Sequence, residues 1–516
     1  MNMPATGTHS GMSPIRTDDS EPPRQATRGF PFNFWLLNTI EAGERLAFYL
    51  VWPILMIYIA QADDPGGLHR SQADKGTLIF WFSLVQIILP IISGGYADRY
   101  GFKLSLMVSM LISTSGYAIM GMEHTFAAAF WGMMLVGVGA AFFKPAIQGA
   151  LSQLLTREQS SIGWGIFYWV VNIGAMIGHW ISPIILLSPT TPGTYQRLFF
   201  IAAGCCAFNL IALLIVFRDV PSGASKEVHP LRVLWNTARN IVEPRLLAWL
   251  LIMSCFWMMM YQLWDAQPNF IRDWINSESL ASAMPVERWR ELGADGKLRV
   301  PQQVLLSLNS LLIVVFVVPI SFLVRKLRSL SAMLLGMGVV TLGVFAAGTT
   351  QSAWIVLAGI TMFSLGEMLV GPKKSEYLAL IAPAGKKALY LGYVVIPTGI
   401  GRGVGNKLSG WLYQEVCEKA NLSLKYLAEH TPLLGEKKWD GRAASLEKVT
   451  GISRTDAFSK LQEVLNVNSD QATQLLWETY HPQYYFWLPF VAVGVAAAIA
   501  LFIFGQMAKR WADMNA

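Results

Sequence analysis

Apolar stretches recur along almost the whole chain and are separated by shorter polar segments. Most are about 20 residues long, which lets a helix cross the ~30 Å hydrocarbon core of a membrane. We predict twelve such helices, at roughly 34–60, 76–97, 104–122, 126–152, 163–187, 197–217, 246–270, 302–324, 331–350, 353–382, 388–413 and 484–508. The pattern therefore predicts an all-α membrane protein.

The spacing of these spans breaks once, near the middle of the chain. Six spans precede a basic linker and six follow it, which is typical of transporters built from two six-helix bundles. The predicted units are a disordered tail (1–30), a first bundle (31–217), the linker (218–245), helices 7–11 of a second bundle (246–413), a helical insertion (414–483), and helix 12 with a short tail (484–516). We interpret the insertion as a cap on the extracellular face, with ligand capture as the alternative.

Composition supports a membrane location and excludes several other classes. Hydrophobic residues make up 53% of the chain and charged residues 14%, whereas soluble domains are about 25% charged. The net charge of +7 is spread over loops, which indicates membrane topology rather than binding to nucleic acid. The four cysteines have no spacing typical of a disulfide or metal framework.

Lysine and arginine are concentrated in alternate loops, on the side that also carries both termini. Such loops are cytoplasmic in most membrane proteins. We therefore expect a multi-pass protein of the inner or plasma membrane, with its N- and C-termini in the cytoplasm.

The first span carries charges at a depth where a membrane disfavours them. Glu41, Glu44 and Arg45 share one helix face, and each charge at bilayer depth costs at least ~2.5–3.5 kcal/mol. Lys144 of the fourth span lies about 12 Å from the cytoplasmic end, which matches their depth. We predict a proton switch in which neutralising one glutamate lets the cations re-pair. The alternative is a static ion-pair network that fixes helix packing.

The second half has charges of its own inside predicted spans. Glu367 and Arg402 lie near the middle of the tenth and eleventh spans, so they could meet as a gate or substrate site, or as a packing ion pair. In the seventh span, Asp265 is four residues after Tyr261. It is either an additional proton site or a carboxylate in water at the outer interface.

The loop between the second and third spans reads GGYADRYGFK. It resembles the signature loop of the major facilitator superfamily, which implies a role in cytoplasmic gating. The positions that carry this resemblance are Gly94, Gly95, Asp98, Arg99, Gly101 and Lys103.

Four further segments resemble the proton-dependent oligopeptide transporters of that superfamily. They are EAGERLAFY at 41–49, FFKPAIQG at 142–149, IFYWVVNIG at 166–174 and SLGEML at 364–369. The resemblance implies proton coupling and ligand-carboxylate binding by Glu41, Glu44, Arg45 and Lys144. It also implies a site for the ligand amino group at Glu367, with Asn172 and Asn309 in polar binding roles.

The sequence departs from that family where it would recognise a peptide. Trp52 stands where peptide carriers have a second arginine, and Tyr261 stands where they have a glutamate. Of the aromatic positions in the first motif only Tyr49 is kept, since Leu46 and Phe48 replace the others. The residues for coupling are therefore kept better than those for recognition.

We predict a proton-coupled symporter that carries a small polar or peptide-like solute by alternating access, driven by the proton gradient without a cofactor or metal. Its partners would be the lipid bilayer and a small-molecule substrate, not nucleic acid, and we expect a monomer without enzymatic activity. The candidate substrate-binding residues are Tyr49, Trp52, Asn172, Trp257, Tyr261, Asn309, Glu367 and Arg402. The alternatives are a proton-antiport exporter of drug-like or siderophore-like compounds, and a membrane sensor that does not transport.

Overall fold

A computed structural model of the chain describes residues 29–156, 159–186, 190–221, 243–293, 296–324, 326–382, 390, 392–432 and 439–510, without the side chains of 91, 92, 94, 95, 98 and 161. Almost all of the predicted tail and most of the predicted linker lie outside this description. The surroundings of signature positions 94 and 95 and the side chain of Asp98 lie outside it as well.

The first half folds into six long helices around one hydrophobic core. They are α1 (Phe32–Ala60), α2 (Gln72–Tyr100), α3 (Phe102–Met122), α4 (Phe126–Leu154), α5 (Ser160–Ile185) and α6 (Pro192–Ile215).

The second half forms its own core and contains more short elements. Its seventh span is broken into α7 (Pro244–Met260), α8 (Gln262–Asp265) and α9 (Gln267–Trp274). A short α10 (Glu278–Ala283) and a hairpin of β1 (Glu291–Leu292) and β2 (Leu298–Arg299) follow, and then the long helices α11 (Gln302–Val324), α12 (Ser329–Gly348), α13 (Ala353–Ile381) and α14 (Val395–Val416). After the insertion, with α15 (Lys419–His430), α16 (Leu446–Thr450), α17 (Ala457–Leu465) and α18 (Ser469–Tyr480), the chain ends in α19 (Pro482–Ala508).

The predicted all-α membrane fold is confirmed. Among the described residues, ten helices are long and apolar enough to cross a membrane. The other two predicted spans correspond to α2 and α14, which are as long but more polar. We call the side where α1 begins and α19 ends the terminal face, and the opposite side, where the insertion lies, the insertion face.

The two bundles meet most closely where α2 crosses α14. A Cβ atom added to Gly76 would lie 2.3 Å from the carbonyl oxygen of Asn406, and one added to Gly410 would lie 2.5 Å from that of Gln72. Because glycine has no side chain, the two backbones touch, as is common between membrane helices. This contact lies in the half of the membrane next to the insertion face.

A buried polar network closes the same side. Lys75 donates to the Asn269 Oδ1 atom at 2.7 Å, Asn269 donates to Gln61 at 3.0 Å, and Gln61 donates to Asp273 at 2.7 Å. These bonds join the end of α1 and the start of α2 to α9. The bundles are therefore held together at the insertion face.

The insertion packs mainly on the second bundle. The core of that bundle includes Leu427, Leu461 and Leu476 of the insertion. Its contact with the first bundle is smaller. Ala62 packs in an apolar cluster with insertion residues, and Arg454 donates to the carbonyl oxygens of Ala60 and Arg70, each at 3.4 Å. The structure thus places the insertion over the seam between the bundles.

Replacing Gly76 with leucine should force α2 away from α14, because the new side chain would collide with backbone. Overpacking of this kind costs about 1–3 kcal/mol. We therefore expect a clear drop in the thermal unfolding temperature of the purified protein. Gly338→Leu in α12 is the matched control, since a Cβ there meets nothing within 4 Å. An equal drop in both variants would contradict the close contact.

Candidate functional site

A cavity of about 950 Å³ lies between the two bundles. Eight aromatic side chains line it: Phe48, Tyr49, Trp52, Phe82, Tyr168, Trp257, Tyr261 and Trp264. Its wall continues towards the terminal face through Pro90, Gln148 and Val395. The volume lies in the range of small-molecule sites.

The charged triplet of α1 is buried at the side of this cavity. Glu41, Glu44 and Arg45 are 4%, 4% and 7% exposed. The Arg45 guanidinium forms ion pairs with both carboxylates, at 3.3 Å from Nε to Glu41, and in close contact with Glu44. Of the three residues, Arg45 alone lines the cavity.

Close packing of α5 fixes the position of this segment. A Cβ on Gly174 would lie 2.6 Å from the carbonyl oxygen of Ala42, and one on Gly178 would lie 2.8 Å from that of Leu46. The two glycines let α5 approach the backbone of α1 on both sides of Arg45. Asn172 lies on the same helix, lines the cavity, and donates to the carbonyl oxygen of Tyr168 at 2.9 Å.

Lys144 lines the same cavity as Arg45. Its side chain is exposed, and no carboxylate of a described residue lies within 4 Å of its ammonium group. The expected pairing of Lys144 with the glutamates is therefore not seen, because Arg45 is the partner of both. The lysine faces the cavity without an ion pair to a described carboxylate.

A local feature of α4 explains how Lys144 is held. Pro145 has no backbone N–H, so the carbonyl oxygen of Ala141 loses its partner within the helix. Ser93 of α2 donates to that oxygen at 2.6 Å. The proline thus creates an acceptor that ties α4 to α2 beside the lysine.

Glu367 of α13 faces the cavity from the second bundle. Its Oε2 atom accepts a hydrogen bond from Asn309 of α11 at 2.8 Å, and Asn309 also donates to Ser364 at 3.1 Å. The structure therefore brings together Glu367 and Asn309, both of which were candidates from sequence. The predicted contact between Glu367 and Arg402 is wrong. Equal depth did not determine which neighbouring helix each side chain faces.

Arg402 pairs with Asp265 instead. Its Nε and Nη2 atoms lie 2.9 and 2.8 Å from the two carboxylate oxygens. Asn406 donates to the same carboxylate at 2.7 Å, and Trp52 of the first bundle donates from its indole nitrogen at 2.9 Å. Asp265 is 0% exposed, so the alternative of a carboxylate in water at the outer interface is wrong.

The remaining sequence candidates fall in two places. Tyr49, Trp257 and Tyr261 line the cavity with the other aromatic residues. In the signature loop, Gly101 adopts a φ of 101°. Two residues later, Lys103 donates to the carbonyl oxygen of Phe217 at 2.7 Å. This lysine ties the turn between α2 and α3 to the end of α6. Arg99 is exposed.

Sequence reasoning missed several residues around the cavity. Trp264 lines the cavity, Lys374 of α13 lies 4.2 Å from the ring centre of the lining residue Trp257, and Asn406 donates to Asp265 behind the wall. Lys374 could have been found, because a lysine inside a span is itself a signal of function. Asn406 and Trp264 carry no such signal, since membrane helices contain both residue types widely.

Comparisons with known proteins agree on the type of fold. The sequence profile described as "Major Facilitator Superfamily" matches residues 41–271. "Multidrug resistance protein MdtH" of Shigella sonnei (strain Ss046) is 22% identical over 369 residues, which is 71% of this chain and 83% of that protein.

Solved structures resemble nearly the whole chain. A POT family transporter in complex with 5-aminolevulinic acid has a TM-score of 0.63 at 16% identity, covering 95% of this chain and 98% of that one. A point mutant of the nucleoside transporter NupG has a TM-score of 0.66 at 10% identity, covering 92% and 99%. At these identities the likeness establishes the fold.

Replacing Ser93 with alanine should destabilise the protein, because the carbonyl oxygen of Ala141 would be left buried without a donor. An unsatisfied buried acceptor costs about 1–3 kcal/mol. We expect a lower thermal unfolding temperature. The matched control is Ser115→Ala, because the exposed Ser115 bonds only within its own helix, to Leu111 at 2.9 Å. If both variants unfold at the wild-type temperature, Ser93 does not support α4.

Proposed function

We propose that this transporter of the major facilitator superfamily is a proton-coupled symporter of a small zwitterionic or peptide-like solute. The observation that carries the proposal is the pair of opposite charges facing the cavity from opposite bundles. Lys144 projects from the first bundle, and Glu367 projects from the second. A solute with an anionic end and a cationic end fits both charges at once, and so bridges the two bundles.

The charge balance around Arg45 supports coupling of the solute to a proton. Glu41, Glu44, Arg45 and Lys144 sum to zero when all four are ionised. One proton on a glutamate makes the cluster positive, which favours an anionic group near Lys144. Binding linkage is reciprocal, so the anionic group also favours uptake of the proton. Proton and solute then bind together, which is the requirement for symport.

A second candidate is proton-linked export of a cationic drug-like compound. The eight aromatic residues of the wall and Glu367 would suit an aromatic cation. The name of the relative "Multidrug resistance protein MdtH" points the same way. For a cation the linkage changes sign, because the cation and the proton would compete for the negative charge of Glu367. The charge of the solute therefore separates the two proposals.

The wall of the cavity continues towards the terminal face, while the insertion face is closed by the network around Lys75. If the terminal face is cytoplasmic, as the basic loops predict, this conformation is open to the inside. Transport would then require the bundles to part at the insertion face.

Replacing Glu44 with glutamine should remove proton coupling, because one of the two carboxylates of the cluster can no longer bind a proton. We expect the rate of gradient-driven uptake of 5-aminolevulinic acid into proteoliposomes to fall by at least about ten-fold, which corresponds to ~1.4 kcal/mol in an activation barrier. Counterflow exchange should remain. Glu123→Gln, at the exposed end of α3, is the matched control.

The sign of the proton movement tests the rival function in the same vesicles. A symporter acidifies the vesicle lumen as it takes up 5-aminolevulinic acid, whereas an antiporter moves protons against the flow of a cation such as ethidium. Intact gradient-driven uptake in Glu44→Gln would refute the coupling role. Binding without any counterflow would instead favour a sensor.

A further inference from the structure

Arg402 contacts two aromatic rings in addition to its ion pair. Its carbon Cζ lies 4.1 Å from the ring centre of Trp52 and 4.7 Å from that of Tyr261. The flat guanidinium therefore lies against two aromatic rings, one from each bundle, and the pair of rings fixes its orientation.

The two members of the Arg402–Asp265 pair differ in their access to the cavity. Arg402 lines the cavity, and 13% of its side chain is exposed, whereas the side chain of Asp265 is 0% exposed. Asp265 accepts from Nε and Nη2 of the arginine, and Nη1 has no hydrogen-bond partner among the described residues. The guanidinium of the pair thus faces the cavity, and the carboxylate is buried behind it.

A second cation faces the same space from the first bundle. Lys144 of α4 and Arg402 of α14 line the same cavity from opposite bundles. A ligand anion lying between them would compensate both, which neither bundle alone provides. The negatively charged Glu367 remains available for a cationic group.

Asp265 also connects the cavity to the closed side of the molecule. It accepts four hydrogen bonds from described residues, three from Arg402 and Asn406 of α14 and one from Trp52 of α1. The bond from Trp52 joins the two bundles immediately beside the cavity. A buried carboxylate that loses hydrogen-bond donors raises the free energy of the state in which it is buried. The stability of the closed state therefore depends on Arg402.

We infer that Arg402 binds the anionic group of the solute, and that the Asp265–Trp52 bond transmits this binding to the closure of the insertion face. The inference rests on the proposed function and adds to it a carboxylate-bearing substrate class. When the ligand carboxylate binds the guanidinium, Asp265 loses part of its charge compensation, so the closed state that keeps Asp265 buried beside Trp52 becomes less favourable. Ligand binding would thereby favour the parting of the bundles at the insertion face.

The test compares 5-aminolevulinic acid with its methyl ester, which lacks the carboxylate charge, by calorimetric titration of the purified full-length protein. Because Arg402→Gln alone leaves Asp265 as a buried unpaired charge, the informative variant is the double substitution Arg402→Gln with Asp265→Asn. We expect the wild-type protein to prefer the acid, and the double variant to lose about ten-fold or more of that preference. Lys407→Gln, on the same helix and bonded to Thr77, should keep it.

Hydrogen exchange provides the second readout. Addition of 5-aminolevulinic acid should increase the rate of amide hydrogen exchange in residues 262–276 of the wild-type protein. It should not change that rate in the double variant. Absence of an acid preference in the wild type, or its persistence in the double variant, would overturn the role of Arg402. Unchanged exchange in the wild type would overturn the link to Trp52.

These outcomes are distinct from failure of the proposed function. If proton-driven uptake is normal and the double variant still prefers the acid, the symport proposal stands and this inference fails. If the preference depends on Arg402 but a proton gradient drives no uptake, the inference stands and the symport proposal fails.

Discussion

A charge inside a hydrocarbon layer must either pair with another group of the protein or face a water-filled cavity, and this constraint organises the interior of both bundles. Arg45 is shared by Glu41 and Glu44, and Arg402 is bound on one edge by Asp265. Lys144 and Glu367 face the cavity without an ion pair to a described residue. The compensated charges are therefore structural anchors as well as coupling candidates. The two charges without an ion pair are those that the proposed solute would bind.

The arrangement of helices follows from how closely their backbones can approach. Glycines at the α1–α5 contact hold the charged triplet in place, and glycines at the α2–α14 contact hold the bundles together. Pro145 has a complementary effect, because the carbonyl group that it frees becomes an attachment point for Ser93. Small residues and a proline thus position the polar side chains.

The fold could be predicted from sequence because hydropathy acts over windows of about 20 residues, which tolerate local errors. The position of each charge along its helix could be predicted as well, since the rise of a helix is constant. The pairing of charges could not. Arg402 was expected near Glu367 on depth alone, but pairing also depends on which helix lies beside it and on how each helix is rotated. Asp265 was ambiguous for a related reason, because the break of the seventh span into α7, α8 and α9 cannot be located from hydropathy.

The insertion has a consequence that reaches beyond the cavity. Its apolar residues belong to the core of the second bundle, while Ala62 and two long hydrogen bonds from Arg454 attach it to the first. The weaker of these attachments crosses the seam that opens in the proposed transport cycle. A protein binder that covers both sides of that seam would hold it shut. The proposed transport could then be inhibited by a molecule that never enters the membrane and never competes with the solute.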